Sequence, residues 1–145
     1  MSSQLNVDTI VDKAGSGGSN VKMANTSTYV SDGGNVTQNT VQGLAKTWLR
    51  MNGDNTPAIN DSLNITSVTD QATGNYRVAI ANDMANANYA ATTGAGGATS
   101  NNTLMNCATP GDALGAGTID LDLQYQHATP NDPEIVSFAL HGDLA

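Results

Sequence analysis

Ile119-Asp120-Leu121-Asp122-Leu123-Gln124-Tyr125-Gln126 alternates apolar and polar residues without a break. A period of two places Ile119, Leu121, Leu123 and Tyr125 on one face of an extended chain and the carboxylates and amides on the other, the pattern of a half-buried strand. Pro130-Asn131-Asp132-Pro133 punctuates the run. Glu134 to His141 then returns with Val136, Phe138 and Leu140 on one face. The two stretches are expected to pair antiparallel.

Upstream, Leu63 to Val68 and Asn75 to Ile80 are two alternating runs around a Gly-containing loop, Thr69 to Gly74, which reads as a hairpin. Asn82 to Asn88 is Ala/Asn-rich and ambiguous, and Tyr89 to Thr93 reads as a strand. Gly94 to Asn102 reads as a loop, because Gly-Ala-Gly-Gly-Ala-Thr-Ser-Asn-Asn has nothing to bury. Thr103 to Ala108 is a further candidate strand. Val41, Leu44, Ala45 and Trp48 recur at helical spacing, while Lys46 to Met51 equally suits the start of a strand, so that segment stays open. Roughly seven strands separated by turn signals favour an all-β domain over residues 41–145, a β-sandwich or a jelly roll.

Residues 1–40 differ in kind. Leu5 to Val11 alternates like a short strand, and Ala14-Gly15-Ser16-Gly17-Gly18-Ser19-Asn20 then interrupts it with a flexible turn. From Val21 to Thr40 the few apolar residues are separated by Ser, Thr, Asn and Gly, too few to build a core. The segment reads as an extended N-terminal arm whose apolar residues meet neighbouring chains, with residues 12–40 expected to be disordered in isolation.

The chain has 145 residues, of which 39% are hydrophobic and 4% aromatic, with a formal net charge of −8. Ordering each residue costs on the order of 1.5 kcal/mol against about 25 cal/mol per Å² of apolar burial, so a core this thin suggests burial shared between chains. Only Lys13, Lys22, Lys46, Arg50 and Arg77 are basic, and seven acidic residues with no Lys or Arg follow Arg77. Phosphate neutralisation needs clustered cations, so nucleic acid is excluded as a partner, as is an anionic membrane surface. No run approaches the roughly 18 apolar residues of a membrane-spanning helix. The N-terminus lacks the basic and apolar regions of a secretory signal. Cys107 is the single cysteine, which excludes an intrachain disulfide and suits assembly in a reducing cytoplasm.

The candidate chemistry is sparse. Cys107 has neither His127 nor His141 near it in sequence and reads as a small buried thiol. His127 and His141 lack a metal-spaced partner; three symmetry copies of either could bind a metal on a threefold axis, but neither is assigned as a ligand. Asp120 and Asp122 share a strand face, where a carboxylate pair could hold a cation or act as acid and base. Their expected role is a solvated face. The Gly clusters at 15–18 and 94–97 lack the Gly-Lys-Ser/Thr of a phosphate loop and read as turns. Trp48 is the only Trp and Phe138 the only Phe, so a carbohydrate-stacking platform of several aromatics is not evident, and Trp48 reads as a core anchor. Tyr76, Tyr89 and Tyr125 suit either strand interiors or a polar binding face. No catalytic residue, cofactor or metal is assigned, and no enzyme activity is expected.

The opening Leu5-Asn6-Val7-Asp8-Thr9-Ile10-Val11-Asp12-Lys13-Ala14-Gly15-Ser16-Gly17 resembles the N-terminal motif of virion structural and tail-fibre-like proteins of marine bacteriophages, cyanophages in particular. In the body, Ala45 to Leu49, Ile59 to Asp70, Thr73 to Tyr76, Met84 to Tyr89 and Phe138 to Asp143 are similar to a β-rich module that recurs in such fibres. The resemblance implies a virion component assembled in the host cytoplasm, and a homotrimer. On this reading Leu5, Val7, Ile10 and Val11 attach the arm to other tail or capsid proteins. The β-domain projects outward, with a host surface glycan as a partner. A tail or capsid decoration protein without a receptor is the alternative.

Overall fold

In the computed structural model, residues 27–30, 37–97, 104–107, 114–125 and 129–145 are described. Among the described residues the structure is all-β apart from one helical turn, and the chain divides into two units, Met1–Val41 and Gln42–Ala145. In the first unit, β1 (Thr28–Val30) and β2 (Thr37–Asn39) pair antiparallel, and the Thr40 amide extends the ladder by donating to the Ser27 carbonyl at 2.9 Å. This ladder lies within the span expected to be disordered. The short strands can pair despite their polar sequence because a ladder uses backbone groups alone. Leu5, Val7, Ile10 and Val11 lie outside the described residues.

The helical turn α1 (Thr40–Gly43) ends at a glycine, and β3 (Ala45–Asn52) follows. Of the two readings left open for this segment the strand holds, since Ala45 and Trp48 lie in β3 and the helix is a single turn that ends at Gly43. Thr47, Leu49 and Met51 are buried, and Lys46, Trp48, Arg50 and Asn52 take the opposite face. The remaining strands are β4 (Ala58–Leu63), β5 (Ile65–Ala72), β6 (Asn75–Ile80), β7 (Ala90–Gly96), β8 (Leu104–Cys107), β9 (Thr118–Tyr125), β10 (Thr129–Pro130) and β11 (Ile135–His141). One antiparallel sheet runs β4-β3-β11-β7. The other runs β5-β6-β9-β8, all antiparallel. Because β8 pairs with residues 121–124 of β9 and β10 with 124–125, β10 must occupy the opposite edge, continuing where β6 ends at Asp122.

Leu49, Met51, Val136, Phe138 and Leu140 from the first sheet and Tyr76, Val78, Ile80, Ile119, Leu121 and Leu123 from the second join Met84 in one buried cluster. Two antiparallel sheets sharing a core in this way have the layering of a β-sandwich.

Three expectations are corrected. First, β9 and β11 do not pair; they lie in different sheets and their apolar rows point toward the shared core. The link between them carries fully buried Pro133, which has no N–H for a ladder and whose carbonyl accepts from the Gly53 amide at 3.0 Å. Second, the hairpin loop is only Thr73–Gly74, and Leu63 belongs to the preceding strand, the two being separated by Asn64 at φ 60°. Third, Gly94 to Gly96 is strand: Gly94, Ala95 and Gly96 pair with Ser137, Val136 and Ile135. Lack of side-chain bulk does not prevent pairing there, and it leaves the outer surface of that edge hollow.

Candidate functional site

The outer face of the sheet β4-β3-β11-β7 is built from two cross-strand rows. Leu63, Trp48, Ala139 and Thr92 form one, and Asp61, Arg50, Ser137 and Gly94 form the next. In each row a large β3 side chain stands beside small residues on β11 and β7. The step in height makes an open groove of about 420 Å³, lined chiefly by Trp48, Arg50, Thr92, Gly94, Ser137 and Ala139.

Trp48 is half-buried on this face. The core-anchor reading is therefore corrected: Trp48 is out of phase with Leu49 and Met51 and points away from the core they fill. That phase was the signal available in the sequence, since Thr47, Leu49 and Met51 alternate with Lys46, Trp48 and Arg50. Ser137 Oγ donates to the Gly94 carbonyl at 3.3 Å and Thr92 Oγ1 to the Ala139 carbonyl at 3.4 Å. Both hydroxyls keep lone pairs free of those bonds. Arg50 Nη1 lies 3.5 Å from the Met51 carbonyl, a weak hydrogen bond.

Asp120 and Asp122 are 3% and 8% exposed, so the expectation of a solvated face fails. β9 is a central strand, paired with β6 and β8 along its two edges, and polar side chains from its own sheet lie against both carboxylates. Asp120 accepts from Arg77 Nε at 2.7 Å and Nη2 at 2.6 Å, a bidentate pair that engages both carboxylate oxygens. Asp122 accepts from Gln124 Nε2 at 2.7 Å. Asn75 stands opposite Asp122 in the ladder, and its buried Oδ1 has no hydrogen-bond partner among the described residues.

A second recess, about 370 Å³, lies among Asn86, Asn88, Tyr89, His141 and Asp143. Much of its polarity serves the fold. The Asn88 amide donates to Asn86 Oδ1 at 2.7 Å, the Tyr89 hydroxyl to the Gly115 carbonyl at 3.2 Å and the Ala85 amide to the Asp143 carbonyl at 2.8 Å. Among the described residues no group of three His, Cys, Asp or Glu could hold a metal.

At one end of the domain the Tyr76 hydroxyl lies 2.6 Å from Asp132 Oδ1 and 2.8 Å from the Gly53 carbonyl. Burial, and then the hydrogen bond and charge of Asp132, push the phenol well above its ordinary range. Tyr76 is thus a core residue rather than part of a binding face, and Tyr89 is partly buried against the core. Tyr125 ends β9 opposite Thr129, and Cys107 ends β8 opposite Leu121. His127 lies outside the described residues. No described helix is long and apolar enough to cross a membrane.

Against known protein families, curated proteins and solved structures, the chain gives no match.

Proposed function

We propose that this protein is a bacteriophage virion component, a short tail or head fibre that attaches through its N-terminal arm and projects the β-domain outward for host adhesion. The observation that carries the adhesive part is the outer face of the β4-β3-β11-β7 sheet, where the chain's only Trp stands in an open polar-rimmed groove. The division near residue 41 and the sequence resemblance support the arm and the virion setting. Attachment rests on Leu5, Val7, Ile10 and Val11, and assembly is as a homotrimer. No catalytic step, cofactor or metal enters this reading.

The alternative, a tail or capsid decoration protein, is favoured by a different feature. Leu63, Ile59 and Ile135 are 46%, 40% and 39% exposed, apolar surface that a neighbouring subunit would cover.

One experiment separates the two. Particles assembled without this chain are compared with complete ones for adsorption to host cells and for survival on heating. A selective adsorption defect supports the fibre. Normal adsorption with fragile particles supports decoration. Absence of the chain from purified particles, read by mass spectrometry, removes both.

A further inference from the structure

We infer that the groove over Trp48 is a saccharide subsite that takes one neutral pyranose ring of a surface glycan, an inference that deepens and rests on the adhesive reading above. Several observations converge on that ligand class. The indole face is apolar and carries a negative quadrupole, which attracts the C–H groups on one side of a sugar ring. Ala139 beside it and Gly94, across β11 in the next row, have no bulk to stop a flat ring from lying down, and about 420 Å³ falls at the small end of ligand sites.

The rim supplies both halves of a hydroxyl's needs. Thr92 Oγ1 and Ser137 Oγ spend their protons on the Ala139 and Gly94 carbonyls and so face a ligand as acceptors. Arg50 offers only donors, and among the described residues its hydrogen bond is the long one of 3.5 Å to Met51. Asp61 sits opposite Arg50 in the ladder. Arg50, the charged residue of the lining, repels a cation, and the Asp61 charge one strand away offsets its pull on an anion. A neutral polyol, which donates and accepts at each hydroxyl, fits between them. Strand addition by a peptide needs an open sheet edge, and this groove lies on the face of β3 and β11, both paired on two sides.

The test is a titration of the full chain with a panel of neutral mono- and disaccharides, followed by Trp fluorescence and by saturation transfer from protein to sugar in NMR spectra. Because Trp48 is the only indole, an emission change reports from the groove. The expected result is a saturable response to at least one sugar, weakened about tenfold or more in Gly94→Val by both readouts and in Trp48→Ala by saturation transfer, since that variant has no indole to report. Gly94→Val fills the hollow and leaves the indole in place; a Cβ there meets only Ser137 Oγ, at 3.3 Å. Retained unfolding temperature shows that the variants are folded. No saturable response to any sugar, a response to acidic sugars alone, or binding unchanged in a folded Gly94→Val protein would each overturn the subsite. A chain found in virions but unresponsive to sugars removes the subsite and spares the virion reading. A sugar-binding chain missing from virions does the reverse.

Discussion

Arg77 and Asp120 face one another across β6 and β9 and meet through two hydrogen bonds, yet Asp120 is almost wholly buried while the Arg77 side chain is 46% exposed. The asymmetry decides what each substitution does. Arg77→Ala leaves a buried carboxylate without its guanidinium. Removing one partner of a fully buried pair costs about 3–5 kcal/mol, and solvent reaching Arg77 brings the expected loss to about 2–3 kcal/mol. Arg77→Met combined with Asp120→Leu should be less damaging than Arg77→Ala alone, because no charge is then stranded. Urea denaturation of the three proteins checks this. Equal stability of Arg77→Ala and the parent would show that the pair contributes nothing.

Gly74 closes the β5–β6 hairpin at φ 74°, with its amide 2.6 Å from Asp132 Oδ1. A Cβ at this position would fall 2.4 Å from the Leu123 carbonyl oxygen and 2.8 Å from the Asn131 amide, both backbone atoms. Neither can swing aside as a side chain would. Gly74→Ala should therefore cost about 3 kcal/mol or more, combining the left-handed backbone with displacement of the Leu123 and Asn131 backbone. Thermal unfolding is the measure, and a loss below about 1 kcal/mol would mean that this end of the domain yields easily.

How far the sequence discloses these features depends on phase. In β9, Ile119, Leu121 and Leu123 follow a period of two and are buried as that period demands. The polar phase of the same strand misleads, because Asp120 meets its partner Arg77 only across the β6–β9 ladder, and pairing is not local information. The β9–β11 pairing fails for a similar reason. Two amphipathic strands joined by a short link satisfy a hairpin and a sheet-to-sheet crossover equally well, and buried Pro133 is visible only once folded. Trp48 was legible in principle, since its phase opposes Leu49 and Met51, but large aromatic side chains ordinarily mark cores. The groove itself was not. It requires Ala139 to lie beside β3 and Gly94 to lie one strand further on, across β11, both distant in sequence from Trp48.

Asn64 makes the single-residue connection between β4 and β5, where the chain leaves one sheet for the other. At φ 60° it occupies the left-handed region that Asn tolerates better than most residues. Its side chain binds both sheets' neighbours: Nδ2 donates to Thr47 Oγ1 at 3.1 Å and to the Asn82 carbonyl at 2.9 Å, while Oδ1 accepts from the Asn82 amide at 2.7 Å. Asn64→Gly keeps the backbone and loses those bonds, an expected cost of about 1–2 kcal/mol. Asn64→Ala loses both and should cost about 1 kcal/mol more. If the two variants unfold at the same temperature, backbone strain plays no part at this crossing.

Tyr76 gives the prediction with a pH signature. Its hydroxyl sits between Asp132 and the Gly53 carbonyl, and burial holds the phenol protonated well above the ordinary range. An unfolded tyrosine ionises near pH 10, at about its unperturbed value. Above that pH the unfolded chain has released a proton that the folded chain still holds, so stability is fully present below about pH 10 and falls as the pH rises further. Tyr76→Phe removes this contribution. It should cost about 1–2 kcal/mol at neutral pH, where the Gly53 carbonyl loses a hydrogen bond, while Asp132 Oδ1 keeps the Gly74 amide. The gap between Tyr76→Phe and the parent should then narrow between about pH 9 and pH 11, since only the parent carries the penalty of an unionised Tyr76. Urea unfolding of both proteins across that interval provides the measurement. A constant difference would mean that Tyr76 ionises in the folded chain as readily as in the unfolded one.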